Sequence, residues 1–316
     1  MVCDRPDFPR SSVAEHTNGA PAKSTADAVT ICMCTYRRPA AFEALASFET
    51  LSDLSGDVRV VVIDNDDTDI LRAQFEDFAK RYSYPLQYVH APARNISIAR
   101  NAALDATETR WMAFIDDDET ADPRWLATLL QCRDRGVAII GQCIAVYGAA
   151  LPSWAARCDF HSNRIRGDAA NAYTSNALLD MDFVRRHTLR FRVELGLTGG
   201  EDSVFFRQMK EAGGMIAYCP EAVVYEPVPP QRATMSWVRR RMYRAGQTHG
   251  LLCREFDRTS YRHLWLTAGA KAVFSAMMAI ATFPGSDASR RWYARAMLHA
   301  GAARYRIRPA MLEEYA

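Results

Sequence analysis

A chain of 316 residues with 49% hydrophobic and 24% charged residues is built to bury a core, which excludes a tail, a fibre or a linker. Its formal net charge of +2 conceals an uneven distribution: residues 1–230 hold 24 Lys and Arg against 32 Asp and Glu, whereas residues 231–316 hold 15 against 5. The basic end is the part that an anionic surface attracts, and the eight scattered cysteines, without a Cys-x-x-Cys pair or a Cys/His cluster, argue against a zinc site.

Residues 1–27 are rich in Ser, Ala, Pro and Asp without an apolar period, and are expected to be disordered. They show no signal peptide, and the cysteines Cys32, Cys34, Cys143 and Cys219 sit in apolar runs as small hydrophobes, so a reducing cytoplasm is expected. From Val29 onward, short β-branched runs alternate with helical stretches, the rhythm of a largely parallel α/β sheet. Strands are expected at Val29–Cys34, Arg59–Ile63, Leu86–Val89, Trp111–Ile115 and Ala138–Ile140. Helices are expected near Ala40–Leu51, Ile70–Tyr82, Ile96–Ala106 and Pro123–Arg135, the last started by an Asp122 cap and a first-turn proline. Residues 148–172 lack periodicity and predict a mobile loop. Beyond it the pattern becomes α+β, with strands near Tyr173–Leu179, Met215–Cys219 and Ala222–Tyr225 and a helix from Glu201 to Ala212.

Several strands end in polar clusters: Thr35-Tyr36-Arg37, Asp64-Asn65-Asp66 and Asp116-Asp117-Asp118. In open α/β sheets the carboxyl ends of strands border the ligand crevice, so these clusters are expected to converge. Consecutive carboxylates repel one another, and a divalent cation that takes hard oxygen ligands offsets that cost. A solvated acidic turn before a helix is the plainer alternative for Asp116–Glu119. Gly199-Gly200-Glu201-Asp202 precedes an apolar helix; it reads either as a helix start or as a site for a general base.

The ordered series Thr35 and Arg37, Asp64, Arg100-Asn101, Asp116–Asp118 and Gly199–Asp202 resembles glycosyltransferase family 2, inverting enzymes of the GT-A fold, over residues 28–230. Tyr225–Arg232, followed by Trp237 and Arg240–Gly246, further resembles the ExoM-like branch of exopolysaccharide assembly. The resemblance implies a Rossmann-like mixed sheet flanked by helices, spanning residues 28–230, and an inverting transfer from a UDP-sugar, UDP-glucose or a related hexose, to a hydroxyl of a lipid-linked oligosaccharide. It implies that Thr35, Arg37, Asp64, Arg100, Asp116 and Asp117 hold the nucleotide sugar, that Asp118 ligates Mg²⁺ or Mn²⁺, and that Asp202 is the base with Glu201 beside it. Glu226 stands where many relatives carry histidine, so a metal ligand from that segment is in doubt. A nucleotidyltransferase using the same acids, or a membrane-bound scaffold of the same fold, are the alternatives; the former lacks its Gly-rich loop after the first strand.

Residues 231–316 are expected to form a basic, amphipathic helical region. Ser236–Phe256 sets Trp237, Met242 and Leu251 among clustered arginines, which suits an anionic lipid surface better than a helix merely packed on the catalytic domain. Leu264–Phe283 is long enough to span a bilayer, yet central Lys271 and arginines on both sides favour an in-plane or docked helix, aided by dimerisation. Attachment to the cytoplasmic face of the inner membrane follows, and no motif for reading nucleic acid is present.

Overall fold

The computed structural model describes residues 28–164 and 172–313. The expected disorder of residues 1–27 lies outside the described residues, as does part of the expected loop at 148–172.

The first half follows the alternating pattern: β1 (Val29–Thr35), α1 (Ala41–Phe48), β2 (Val58–Asp64), α2 (Arg72–Ala79), β3 (Leu86–His90), α3 (Ile96–Ala106) and β4 (Trp111–Asp116). Strand β1 is parallel to both β2 and β4, and β2 is parallel to β3. The two-residue period of a strand sends alternate side chains to opposite faces. Ile31, Val62 and Ile115 therefore join one core with Leu45, Phe48, Phe75 and Trp125, while Cys32, Ile63 and Phe114 join another with Ala99, Phe205 and Met209. A sheet covered on both faces explains why these strands read as continuous apolar runs.

The chain continues through β5 (Thr120–Ala121), α4 (Trp125–Gln131), β6 (Ala138–Val146), α5 (Ser153–Cys158), β7 (Asn176–Asp180), α6 (Met181–Arg186), α7 (Glu201–Glu211) and β8 (Ile216–Pro227). The eight strands lie in the order β3-β2-β1-β4-β7-β6-β8-β5. The sheet is mixed, because β7 runs antiparallel to both β4 and β6. All five residues of β7 are buried, so its sequence looks like that of a parallel core strand and does not betray its direction.

Three local expectations are corrected. The strands expected at 215–219 and 222–225 are the single strand β8, whose pairing with β6 shifts register between Ile140 and Gln142. Helix α4 starts at Trp125; the Asp122 carboxylate accepts the Arg124 N–H at 3.0 Å in the turn before it. The described part of 148–172 contains α5, and Asn163 exchanges backbone hydrogen bonds with Cys143 on β6.

Three long helices complete the chain: α8 (Met235–Phe256), α9 (Arg258–Ala281) and α10 (Asp287–Ile307). Thr234, Asp257 and Ser286 cap them, each accepting a first-turn N–H. Helices α8 and α10 meet backbone to backbone, since a β-carbon at Gly246 would lie 1.9 Å from the Leu298 carbonyl oxygen and one at Gly301 would lie 2.0 Å from that of Tyr243. Leu251 and Tyr305 also pack with Leu195 and Val204, so the helical region shares a core with α7.

Candidate active site

Parallel pairing aligns the strand ends: Thr35 of β1 is opposite Asp64 of β2, and Cys34 is opposite Asp116 of β4. Beyond β4, the Thr35 hydroxyl donates to Asp117 at 2.7 Å, and Arg38 donates to the other Asp117 oxygen at 2.6 Å. Arg38 also lies 2.8 Å from Asp118, which Arg232 approaches at 3.6 Å while pairing with Glu226 at 2.6 Å. Two guanidiniums thus compensate a run of carboxylates that would otherwise repel. Burial pushes the Asp117 carboxyl up to about 6, against the opposing influence of Arg38 and Thr35.

The opposite wall is the start of α7. Gly199 and Gly200 take φ values of 77° and 90°, the left-handed region that glycine enters without steric cost, and so turn the chain into the helix. Glu201 is ion-paired with Arg100 of α3, and Arg100 lies 3.9 Å from Asp116, linking the two acidic groups across the crevice. The second Glu201 oxygen is buried without a hydrogen-bond partner among the described residues. Asp202 accepts the Ser203 N–H at 2.6 Å. Burial, and next the negative charge of Glu201, push its carboxyl up to about 7 despite Arg100.

Thr35, Arg100, Asp116, Asp117, Asp118, Glu201 and Asp202 line one cleft of about 1520 Å³. Arg37 and Asp64 do not line it. Arg37 turns away to form a two-point pair with Asp66 at 2.6 and 2.8 Å. Asp64 is fully buried and accepts from the Tyr88 hydroxyl at 2.6 Å and the Asp66 N–H at 3.0 Å. Their neighbours Arg38 and Asn65 face the cleft instead. Arg38, Asn65, Arg94 and Arg232 are lining residues that the sequence reading did not single out. For Arg38 the signal was the Thr-Tyr-Arg-Arg-Pro cluster, but no pattern separates two adjacent arginines at a turn.

The donor chemistry for a divalent cation is present. Asp116 and Asp118 offer hard, partly exposed oxygens in the cleft, with side chains 44% and 23% exposed. A second group, Glu119, Cys143 and Glu226, holds its ligand atoms within 4.8 Å of one another. It suits Mg²⁺ or Mn²⁺ poorly: burial keeps the Cys143 thiol protonated and holds the Glu119 carboxyl well above the usual range, and Glu226 is engaged by Arg232.

Comparison with known proteins agrees with this geometry. Residues 30–187 match Glycosyl transferase family 2. The chain is 42% identical over 281 residues to the succinoglycan biosynthesis protein ExoM of Rhizobium meliloti (strain 1021), covering 86% of this chain and 91% of that protein. It is 29% identical over 135 residues to a glucosyl-dolichyl phosphate glucuronosyltransferase of Haloferax volcanii, covering 41% of this chain and 40% of that protein. Among solved structures, the mannosyltransferase PcManGT of Pyrobaculum calidifontis, in complex with GDP-Man and Mn²⁺, superposes with a TM-score of 0.61 at 19% identity over 89% of this chain and 87% of that one. S. aureus TarS 1-349 in complex with UDP-GlcNAc superposes at 0.52 with 14% identity, over 87% and 89% of the two chains. These likenesses carry the fold, a GT-A mixed sheet flanked by helices, while the family match and the extended identity to ExoM carry the kinship. With its strand-end acids and the α7 carboxylates gathered around one cleft, the chain belongs to glycosyl transferase family 2.

Proposed function

We propose that this glycosyltransferase moves a hexose from a UDP-sugar to a hydroxyl of a lipid-linked glycan in exopolysaccharide assembly, with inversion at the anomeric carbon. The observation that carries the reading is Asp202 facing the same cleft as Asp118. Thr35, Arg100, Asp116 and Asp117 are the donor-side contacts, and Asp64 and Arg37 brace the wall behind Asn65. Asp118, with Asp116 beside it, is the group that would hold Mg²⁺ or Mn²⁺; the bound ion neutralises charge growing on the departing diphosphate.

Asp202 takes the proton of the acceptor hydroxyl as its oxygen bonds to the anomeric carbon. The bond from that carbon to the diphosphate oxygen breaks on the opposite face, so UDP leaves with the electron pair and no sugar–enzyme bond forms. A carboxylate with a pKa of about 7 is well matched to this duty near neutral pH, where it is substantially ionised yet still basic. Arg38 and Arg232 lie where they can exchange a carboxylate for an incoming phosphate.

Membrane attachment is part of the proposal. Helix α9 is long and apolar enough to cross a bilayer. It packs through Leu264, Ala268 and Ala279, while Trp265, Leu266, Val273, Met277 and Ile280 remain exposed. Lys271, though exposed, lines the cleft and lies off this stripe, which is therefore uninterrupted by charge, as in-plane docking requires.

A screen of UDP-sugar hydrolysis and transfer with Mg²⁺ and Mn²⁺ tests the reading. Turnover of a UDP-hexose that stops on chelation is expected; turnover of a GDP-sugar alone would overturn the donor assignment.

A further inference from the structure

The cleft of about 1520 Å³ exceeds the roughly 300–1,000 Å³ of ordinary ligand pockets, leaving room for more than a nucleotide sugar. Its two ends differ in charge. Carboxylates dominate the end formed by β4 and α7. The far wall is built by α8, α9 and α10 and presents His249, His263, Lys271 and His299, with Asp257 as the acid among the described residues there. His263, Thr267 and Lys271 are spaced i, i+4, i+8 and so share one face of α9. Burial, followed by the nearby Lys271 charge, holds the His249 and His299 imidazoles below the ordinary histidine range. Lys271 makes no ion pair with a described residue, so one cation and the imidazoles of His249 and His299 come together from three helices without a carboxylate bound to the cation. Such a cluster favours an anion, and its floor of Leu264, Ala268, Leu298 and Ala302 favours one attached to an apolar chain.

We propose that this wall binds the phosphate or diphosphate through which the acceptor glycan is joined to its lipid, with Lys271 as the central cation and His249 and His299 as hydrogen-bond donors. The inference rests on the lipid-linked acceptor of the preceding section and assigns that acceptor its anchoring site. The donor diphosphate and the acceptor phosphate then occupy opposite ends of one cleft, each beside groups of suitable charge, and the lipid runs along α9 toward the exposed apolar stripe.

The test uses full-length protein saturated with UDP and Mn²⁺, so that the donor end is filled, and titrates it with decyl diphosphate by calorimetry. Decyl maltoside serves as the neutral probe. Lys271→Ala is expected to weaken decyl diphosphate about tenfold, the loss of one charge-assisted contact of about 1.4 kcal/mol, with Lys271→Arg recovering most of it. Decyl maltoside is expected to bind both proteins alike. Sedimentation with phosphatidylglycerol vesicles separates the two sources of phosphate: unchanged sedimentation of Lys271→Ala supports the acceptor site, and a parallel loss would assign the cluster to bulk headgroups and overturn it. Equal decyl diphosphate affinity in wild type and Lys271→Ala, or no binding by either, also overturns it. UDP-sugar hydrolysis by the same proteins with Mn²⁺ and no added UDP is a separate readout; its absence beside Lys271-dependent diphosphate binding would remove the donor reading and leave this site standing.

Discussion

Arg100 and Glu201 form a buried ion pair that joins the middle of α3 to the first turn of α7, directly beside Asp202. The pair sets the electrostatic surroundings of the proposed base. Glu201 raises the Asp202 carboxyl and Arg100 opposes that rise. Because the working form of a base is the ionised one, kcat/KM is expected to fall about tenfold per pH unit below a limb near pH 7. Glu201→Gln removes a negative neighbour and releases Arg100, and both changes favour ionised Asp202. The limb is expected to move to lower pH in a pH–rate profile; an upward move would contradict the assignment.

Asp202→Asn is expected to reduce transfer by about 10²–10⁴-fold while leaving UDP affinity within about twofold, because the base acts only as the acceptor attacks. The same substitution should stabilise the fold at alkaline pH. The carboxyl lies near 7 in the folded protein against 3.8 for a free aspartate side chain, so its penalty is absent below 3.8, grows between these values and is complete above about 7. A melting temperature for Asp202→Asn above that of wild type at pH 8, converging at pH 4, is the expected result.

Asp118→Ala is expected to abolish the dependence of UDP binding on Mn²⁺, leaving a weak, metal-independent affinity of the kind that chelation produces in wild type. Fluorescence titration of UDP with and without the ion checks this. Full Mn²⁺ stimulation in the variant would move the ligand role elsewhere.

The glycines of the helical region should respond oppositely to alanine. At Gly246 the added β-carbon meets backbone that cannot yield, and a loss of about 1–3 kcal/mol is expected from overpacking. At Gly269, inside α9, the space is open, and alanine should gain up to about 1 kcal/mol from helix propensity. Denaturant titration of the two variants separates these outcomes.

Val273→Glu together with Ile280→Glu places charge on residues that are 61% and 73% exposed. Thermal stability should change by no more than about 0.5 kcal/mol per site, whereas sedimentation with anionic vesicles should fall sharply. Retained vesicle binding would place the lipid contact on another face.

Where a single strand states its own environment, the sequence was sufficient. The apolar runs ending at Thr35, Asp64 and Asp116 disclosed both the strands and the level at which they stop, and Gly199–Asp202 disclosed the opposite wall. What escaped was relational. Nothing in Asn176–Asp180 distinguishes an antiparallel core strand from a parallel one, since both faces are covered either way. The choice of Arg38 over Arg37 depends on Arg37 adopting φ of 52° and finding Asp66, a turn conformation without a sequence period. Asp64 looked like a ligand contact because it ends a strand, yet Tyr88, two strands away from β1, claims one of its oxygens. The cleft-side position of Lys271 was hidden for a related reason: a lysine within an apolar run reads as an interruption until the neighbouring helices show which side of the rod it occupies.

That two-sided rod has a geometric consequence. Helix α9 has 24 residues and is about 36 Å long, and its cleft-lining stripe and its bare apolar stripe point away from one another. A bilayer that receives the outer stripe fixes the standoff of the carboxylates, much as a plane's sole fixes the depth of its blade. On the proposed lipid-linked acceptor, sugars would be added at one height above the lipid, and a glycan that had outgrown this height would lift its free end beyond reach, so chain length itself would mark when this step is finished.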